Sequence, residues 1–175
     1  MFGLRKKRRR KIRSLPFPRA WLEILERNVA YYHRLTPEDQ AELRGHIQVF
    51  LDEKTFEGCG WLEIDDEIKV IIASQACLLL LHRDTDYYPT LRSIVVYPHY
   101  YFSTETRRLP GGVMAEGVQG RPGEFWYRGP VVIAWDEVRR TAHDHNDAHN
   151  VIFHEFAYQQ KSKRRSKIIQ PSLFQ

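Results

Sequence analysis

The chain has 175 residues, 42% of them hydrophobic, which suits one domain with a buried core and at most an appended arm. Its most apolar segment, 71–81, falls short of the ~18–20 apolar residues that span a bilayer, so no membrane span is expected. The net charge of +5 sits at the ends: residues 1–19 carry nine Lys/Arg and no acid, residues 161–167 carry five more, and 20–160 has 13 basic against 22 acidic residues. A basic chain with an acidic body does not read as a specific nucleic-acid binder.

From the start, MFGLRKKRRRKIR is a block of like charge that repels itself, so residues 1–15 are expected to form a basic disordered arm. Contact with anionic lipid or nucleic acid competes with a plain solvated tail, and no aromatic residue interrupts 5–13 to offer a stacking platform. Pro16 and Pro18 follow where a secretory signal would be apolar, so a cytoplasmic location is expected. Cys59 and Cys77 form neither a disulfide framework nor a C-x-x-C pair, and fit reduced thiols.

Residues 21–32 place Trp21, Ile24, Leu25, Val29 and Tyr32 on one helical stripe. Thr36, Pro37 and Asp39 start a second helix that runs to about residue 53, with Leu43, Ile47, Phe50 and Leu51 inward. Gly58-Cys59-Gly60 breaks the chain and 61–64 reads as a short extended piece. Asp65 or Asp66 then caps a third helix over 67–82, apolar almost all round and therefore central. Residues 91–97 (LRSIVVY) and 131–135 (VVIAW) read as strands, with a hairpin between them around 113–128. A helical turn at 136–140 and a closing helix over 150–160 complete an α+β order, a small mixed sheet against the central helix.

The chemistry is concentrated in that closing helix, NVIFHEFAYQQ. Val151, Ile152, Phe156 and Ala157 supply its apolar face. His154 and Glu155 are adjacent, and Tyr158 stands one turn beyond His154 on the same face. Metallopeptidases use H-E-x-x-H on a helix, two His holding zinc and the Glu serving as general base. Here the second His position is Tyr158, whose phenol has an ordinary pKa near ~10 and must lose its proton to bind metal well. His143, His145 and His149 lie nearby, but their spacing does not fill the missing place. Taken alone, a His-Glu pair on an amphipathic helix is more often structural than catalytic.

MFGLRKKRRRK, the run LTPEDQ…LLLLH, SIVVYP, GPVVIAWDEV and HNVIFHEFAYQQ together resemble, in order, the Mlc titration factor A family (MtfA, also called the DgsA anti-repressor). That resemblance implies a bacterial, cytosolic, zincin-type zinc metallopeptidase with aminopeptidase-like activity on peptide substrates. It implies His154 as first zinc ligand, Glu155 as catalytic base, and Tyr158 in the second ligand's place, where the family continues HEFAHQLD. It also implies a third ligand, a Glu further downstream, which this sequence does not show. The expected organisation is a zincin-like peptidase domain over 16–160, incomplete, with a basic tail at 161–175, and zinc bound weakly or not at all. A truncated or frameshifted product, its activity impaired, is the corresponding expectation. The family also binds the transcription repressor Mlc, so a non-catalytic regulator that captures such a repressor is the alternative.

Overall fold

The computed structural model describes residues 2–99, 131–144, 153, 156 and 157. In chain order these residues form α1 (Phe2–Arg13), α2 (Arg19–Asn28), a 3-10 turn (Ala30–Arg34), α3 (Pro37–Glu53), β1 (Thr55–Gly58), α4 (Asp66–Leu78), β2 (Ser93–Tyr97), β3 (Val131–Ala134) and α5 (Trp135–His143). The architecture is α+β, as expected. The expected hairpin at 113–128 lies outside the described residues, as does most of the closing helix.

The disordered arm expected at 1–15 is corrected: residues 2–13 are helical. Self-repulsion is relieved by acids at the far end of α3. Arg9 donates to both carboxylate oxygens of Glu53, from Nε at 2.7 Å and Nη2 at 2.9 Å. Arg5 reaches the same carboxylate at 3.2 Å, and Arg8 reaches Asp52 at 2.9 Å. Among the described side chains of this helix, Ile12 is the one that packs against the hydrophobic core. Charge neutralisation therefore does most of the docking.

The first apolar stripe holds, but its helix is shorter than expected. α2 ends at Asn28, Val29 is extended (φ −117°), and a 3-10 turn carries Tyr32 back into the core. Ile24, Leu25, Val29 and Tyr32 are buried; Trp21 is partly buried and donates its indole N–H to Asp66 at 3.0 Å. α3 begins as the sequence says. Thr36 accepts from the backbone of Asp39 at 3.2 Å with Pro37 in the first turn, so cap and fixed φ specify the same start. α4 is capped in the same manner by Asp65, which accepts from Ile68 N–H at 2.9 Å. From Val70 to Cys77 every residue of α4 is buried. An all-apolar helix can only be satisfied by neighbours on all sides, and α2, α3 and α5 provide them.

Among the described residues the sheet has three strands in the order β1-β2-β3, and both pairings are parallel. The hairpin expected to make the sheet mixed lies outside those residues, and the extended piece is Thr55–Gly58 rather than 61–64. The physical reason for the parallel pairing is the connection: parallel neighbours need a long crossover, and α4 is that crossover between β1 and β2. Residues 58–62 instead make a tight turn. A side chain at Gly58 would sit 1.9 Å from the Leu62 carbonyl, and Gly60 (φ +61°) and Trp61 (φ +69°) are both left-handed. Ile94, Val96, Val131 and Ile133 form the buried face of the sheet; Glu57, Val95, Val132 and Tyr97 share the other. Cys59 and Cys77 are free thiols.

Candidate functional site

His154, Glu155 and Tyr158 lie outside the described residues. Two aromatic neighbours in the same stretch are described, and both are anchored. Phe156 is wholly buried, its ring 5.3 Å from Tyr88 and 6.1 Å from Phe50. Phe153 stands 6.4 Å from the ring of Tyr31. The His-Glu pair is thus bracketed in sequence by two aromatic contacts with the core. Of the apolar face expected for the closing helix, Phe156 is buried and Ala157 partly buried; Val151 and Ile152 lie outside the described residues.

Among the described residues the densest group of titratable side chains is elsewhere, where the first half of α3 meets the segment after α4. His82 places Nε2 3.1 Å from Asp39 and Nδ1 3.7 Å from Glu42, and its backbone N–H donates to Glu42 at 3.0 Å. Glu42 also accepts from His46 Nε2 at 3.1 Å, and His46 Nδ1 is 2.7 Å from the Tyr87 hydroxyl. A carboxylate accepts only, so His46 carries its proton on Nε2 and Tyr87 donates to Nδ1. Burial holds the His46 imidazole below its ordinary range despite the pull of Glu42, while burial pushes the Tyr87 hydroxyl up to about 12, with Arg13 opposing. Burial would raise Glu42, but the hydrogen bonds from His46 and His82 outweigh it and hold the carboxyl low.

Asp39, Glu42 and His82 each offer one donor atom, all within 4.8 Å of one another, and so could hold a cation. The donor set argues against zinc. Both His82 nitrogens already face carboxylates, and three donors, Asp39 and Glu42 partly buried and His82 exposed, lack the closed tetrahedral set of a structural zinc. The cluster, together with His46, instead ties the left-handed residues His82 and Tyr87 (φ +59° and +53°) to α3.

Two other polar arrangements are internal. Lys54 is buried, donating to the carbonyls of Tyr88 at 2.8 Å and Leu91 at 2.6 Å, and burial lowers its ammonium to about 8. Gln75, wholly buried, donates to Val138 O at 3.0 Å and accepts from Thr141 at 3.3 Å, joining α4 to α5. The Asp65–Asp66 pair is accounted for by capping and the Trp21 contact, as the sequence reading favoured. Sequence reasoning missed His46, Lys54 and Tyr87. His46 had one signal, since it falls within the inward stripe of α3 with Glu42 one turn before it; the other two had none.

The glucose-regulated metallo-peptidase M90 family model matches residues 4–164, which includes α1, the sheet and the His-Glu stretch. The chain belongs to the glucose-regulated metallo-peptidase M90 family. It is 37% identical over 153 residues to the uncharacterized protein slr2042 of Synechocystis sp., covering 87% of this chain and 56% of that one. Mlc titration factor A of Salmonella arizonae is 25% identical over 126 residues, covering 71% of this chain and 49% of the relative. Mlc titration factor A of Salmonella paratyphi B is similar to the same extent, with 46% of its length covered. The chain thus spans about half the length of these relatives. The resemblance drawn from the sequence to the Mlc titration factor A family agrees with these matches. Among the described residues no helix is long and apolar enough to cross a membrane.

Proposed function

We propose that this M90 domain is a zinc-dependent metallopeptidase of zincin type, acting on peptides in an aminopeptidase-like manner in the cytoplasm. The observation that carries the reading is the family match across 4–164, which takes in the one stretch where His and Glu stand in metallopeptidase order. His154 is a metal ligand and Glu155 the base that takes a proton from the attacking water. Zinc, when bound, supplies Lewis acidity to such a reaction. Tyr158 occupies a ligand position with a donor that must first lose a proton near pH ~10, so the metal is held weakly and activity is impaired. The ring contacts of Phe153 and Phe156 with the core, on either side of the pair in sequence, support this reading.

Elemental analysis beside peptide hydrolysis tests this. The purified chain should carry zinc below one equivalent, Tyr158→His should bind zinc at least ~10-fold more tightly, and His154→Ala should abolish binding. Glu155→Gln should keep whatever zinc is bound and cut residual hydrolysis by about 100-fold. Zinc unaffected by His154→Ala would place the metal elsewhere and overturn the assignment. The Salmonella relatives are named for titrating Mlc, which favours a second reading, a regulator that captures a transcription repressor. Metal-free chain that retains no hydrolysis yet still captures such a repressor would move the conclusion to it.

A further inference from the structure

α1 divides its charge between two edges. One edge, Arg5, Arg8 and Arg9, is neutralised by Asp52 and Glu53. The other does not meet an acidic helix. Lys6, Arg9, Arg10 and Arg13 are spaced i, i+3, i+4, i+7, and together with Arg83, Asp84, Thr85 and Tyr87 they line a groove of about 250 Å³. Its floor is the Arg9 guanidinium stacked 4.8 Å over the Tyr87 ring. Among the lining side chains Asp84 is the only acid, and its 3.9 Å contact with Lys6 joins two largely exposed side chains. Arg9 is already paired with Glu53 and lies 3.8 Å from Asp86, so the groove's open charge is that of Arg10 and Arg13. Arg10 and Arg13 have no ion pair among the described residues.

Crowded like charges in a concave site repel one another unless an anion joins them, and guanidinium groups match phosphate oxygens in a two-pronged fit. We propose that this groove is a binding site for a small soluble phosphorylated anion, one carrying a mono- or diphosphate group. Arg10 and Arg13 would contact the phosphate, and the Thr85 hydroxyl and Asp84 would face the rest of the molecule. A nucleic acid is disfavoured because the one aromatic residue in the groove, Tyr87, is buried beneath Arg9 and offers no face for a base. A bilayer is disfavoured because the charges that matter line a cleft between α1 and 83–87, whereas Lys7 and Lys11 occupy the outer face of the helix.

The test is calorimetric titration of the full chain with inorganic pyrophosphate at fixed salt. One site should saturate, and Arg10→Gln/Arg13→Gln should weaken it at least ~10-fold. Lys7→Gln/Lys11→Gln removes the same charge from the outer face and should change binding less than ~2-fold. Equal weakening by the two double variants would reduce the site to diffuse attraction and overturn the proposal, as would the absence of saturable binding to the unmodified chain. Phosphatidic acid vesicles and duplex DNA form two further arms. Binding of either that is tighter than pyrophosphate and indifferent to Arg10→Gln/Arg13→Gln would also overturn it. Arg13 packs against Gly45, so helix content and melting of each variant are measured first. If the double variant is unfolded, Arg10→Gln alone carries the test, and unchanged affinity in that variant would overturn the proposal.

Discussion

α1 and α4 are both firmly placed, and by opposite means. α4 is held by apolar contact on every side, with a neutral hydrogen-bonded joint to α5 through Gln75 and Thr141. α1 is held by guanidinium–carboxylate pairs, with Ile12 as its main apolar contact. Apolar burial is indifferent to pH and strengthened by many salts, whereas ion pairs depend on both. The difference means that α4 and the sheet should unfold as one body, while α1 and its groove can loosen under conditions that leave the rest intact.

The sharpest way to test the contrast is to damage the apolar side. Ile72 is wholly buried in the middle of α4. Ile72→Ala should cost roughly 2–5 kcal/mol, the lost transfer energy plus a cavity, and should lower the denaturant midpoint of the whole domain. A loss below ~1 kcal/mol would mean that α4 is not the centre of a single cooperative core.

Glu53→Gln comes next, at about 1.5–3 kcal/mol, because it removes the two short charge-assisted bonds of the buried Arg9 and leaves it, as an ion pair, only the longer 3.8 Å pairing with Asp86. Hydrogen exchange should show amides of α1 losing protection while those of α4 keep theirs. Equal loss in both helices would break the comparison. Acid should have the same effect. Burial would raise the Glu53 carboxyl, but hydrogen bonds and charge from Arg9 and Arg5 outweigh it, so the folded pKa lies below the ordinary 4.5. A carboxyl lowered on folding contributes stability that is present above 4.5 and lost as pH falls through the folded value. His46 acts earlier. Its folded pKa lies below the ordinary 6.5, so the unfolded chain binds the proton more readily and stability starts to fall as pH drops below 6.5. Glu53→Gln should remove the part of the acid loss below 4.5 that Glu53 contributes and leave the His46 part.

The same contrast explains what could be read from the sequence. α4 was legible because its own residues state its environment, and the starts of α3 and α4 were legible because Thr36 and Asp65 cap within three residues. α1 was not legible: its acidic partners are 44 residues away, and a charge block viewed without them can only be judged unstable. Tyr87 and Lys54 were hidden for a related reason, since Tyr87 itself and the Lys54 acceptors Tyr88 and Leu91 lie on an irregular segment whose left-handed residues no periodicity announces. The family resemblance was legible across the chain and agrees with the family match, while His154 and Glu155 lie outside the described residues and of their neighbours Phe156 is buried.

The smallest expected effect belongs to Arg8. Its ion pair with Asp52 spans 2.9 Å, but the Arg8 side chain is 67% exposed against 9% for Arg9. Water already solvates a charge so exposed, and ordering a long side chain offsets much of the Coulomb attraction. Arg8→Ala should therefore cost less than ~1 kcal/mol, and a double-mutant cycle with Asp52→Ala should give a coupling of ~0.2–1 kcal/mol that shrinks with added salt. A coupling as large as that between Arg9 and Glu53 would mean that α1 is held by its total charge rather than by the one buried arginine. The helix would then dock through a broad charged face, and the division between its neutralised edge and its open groove would lose its basis.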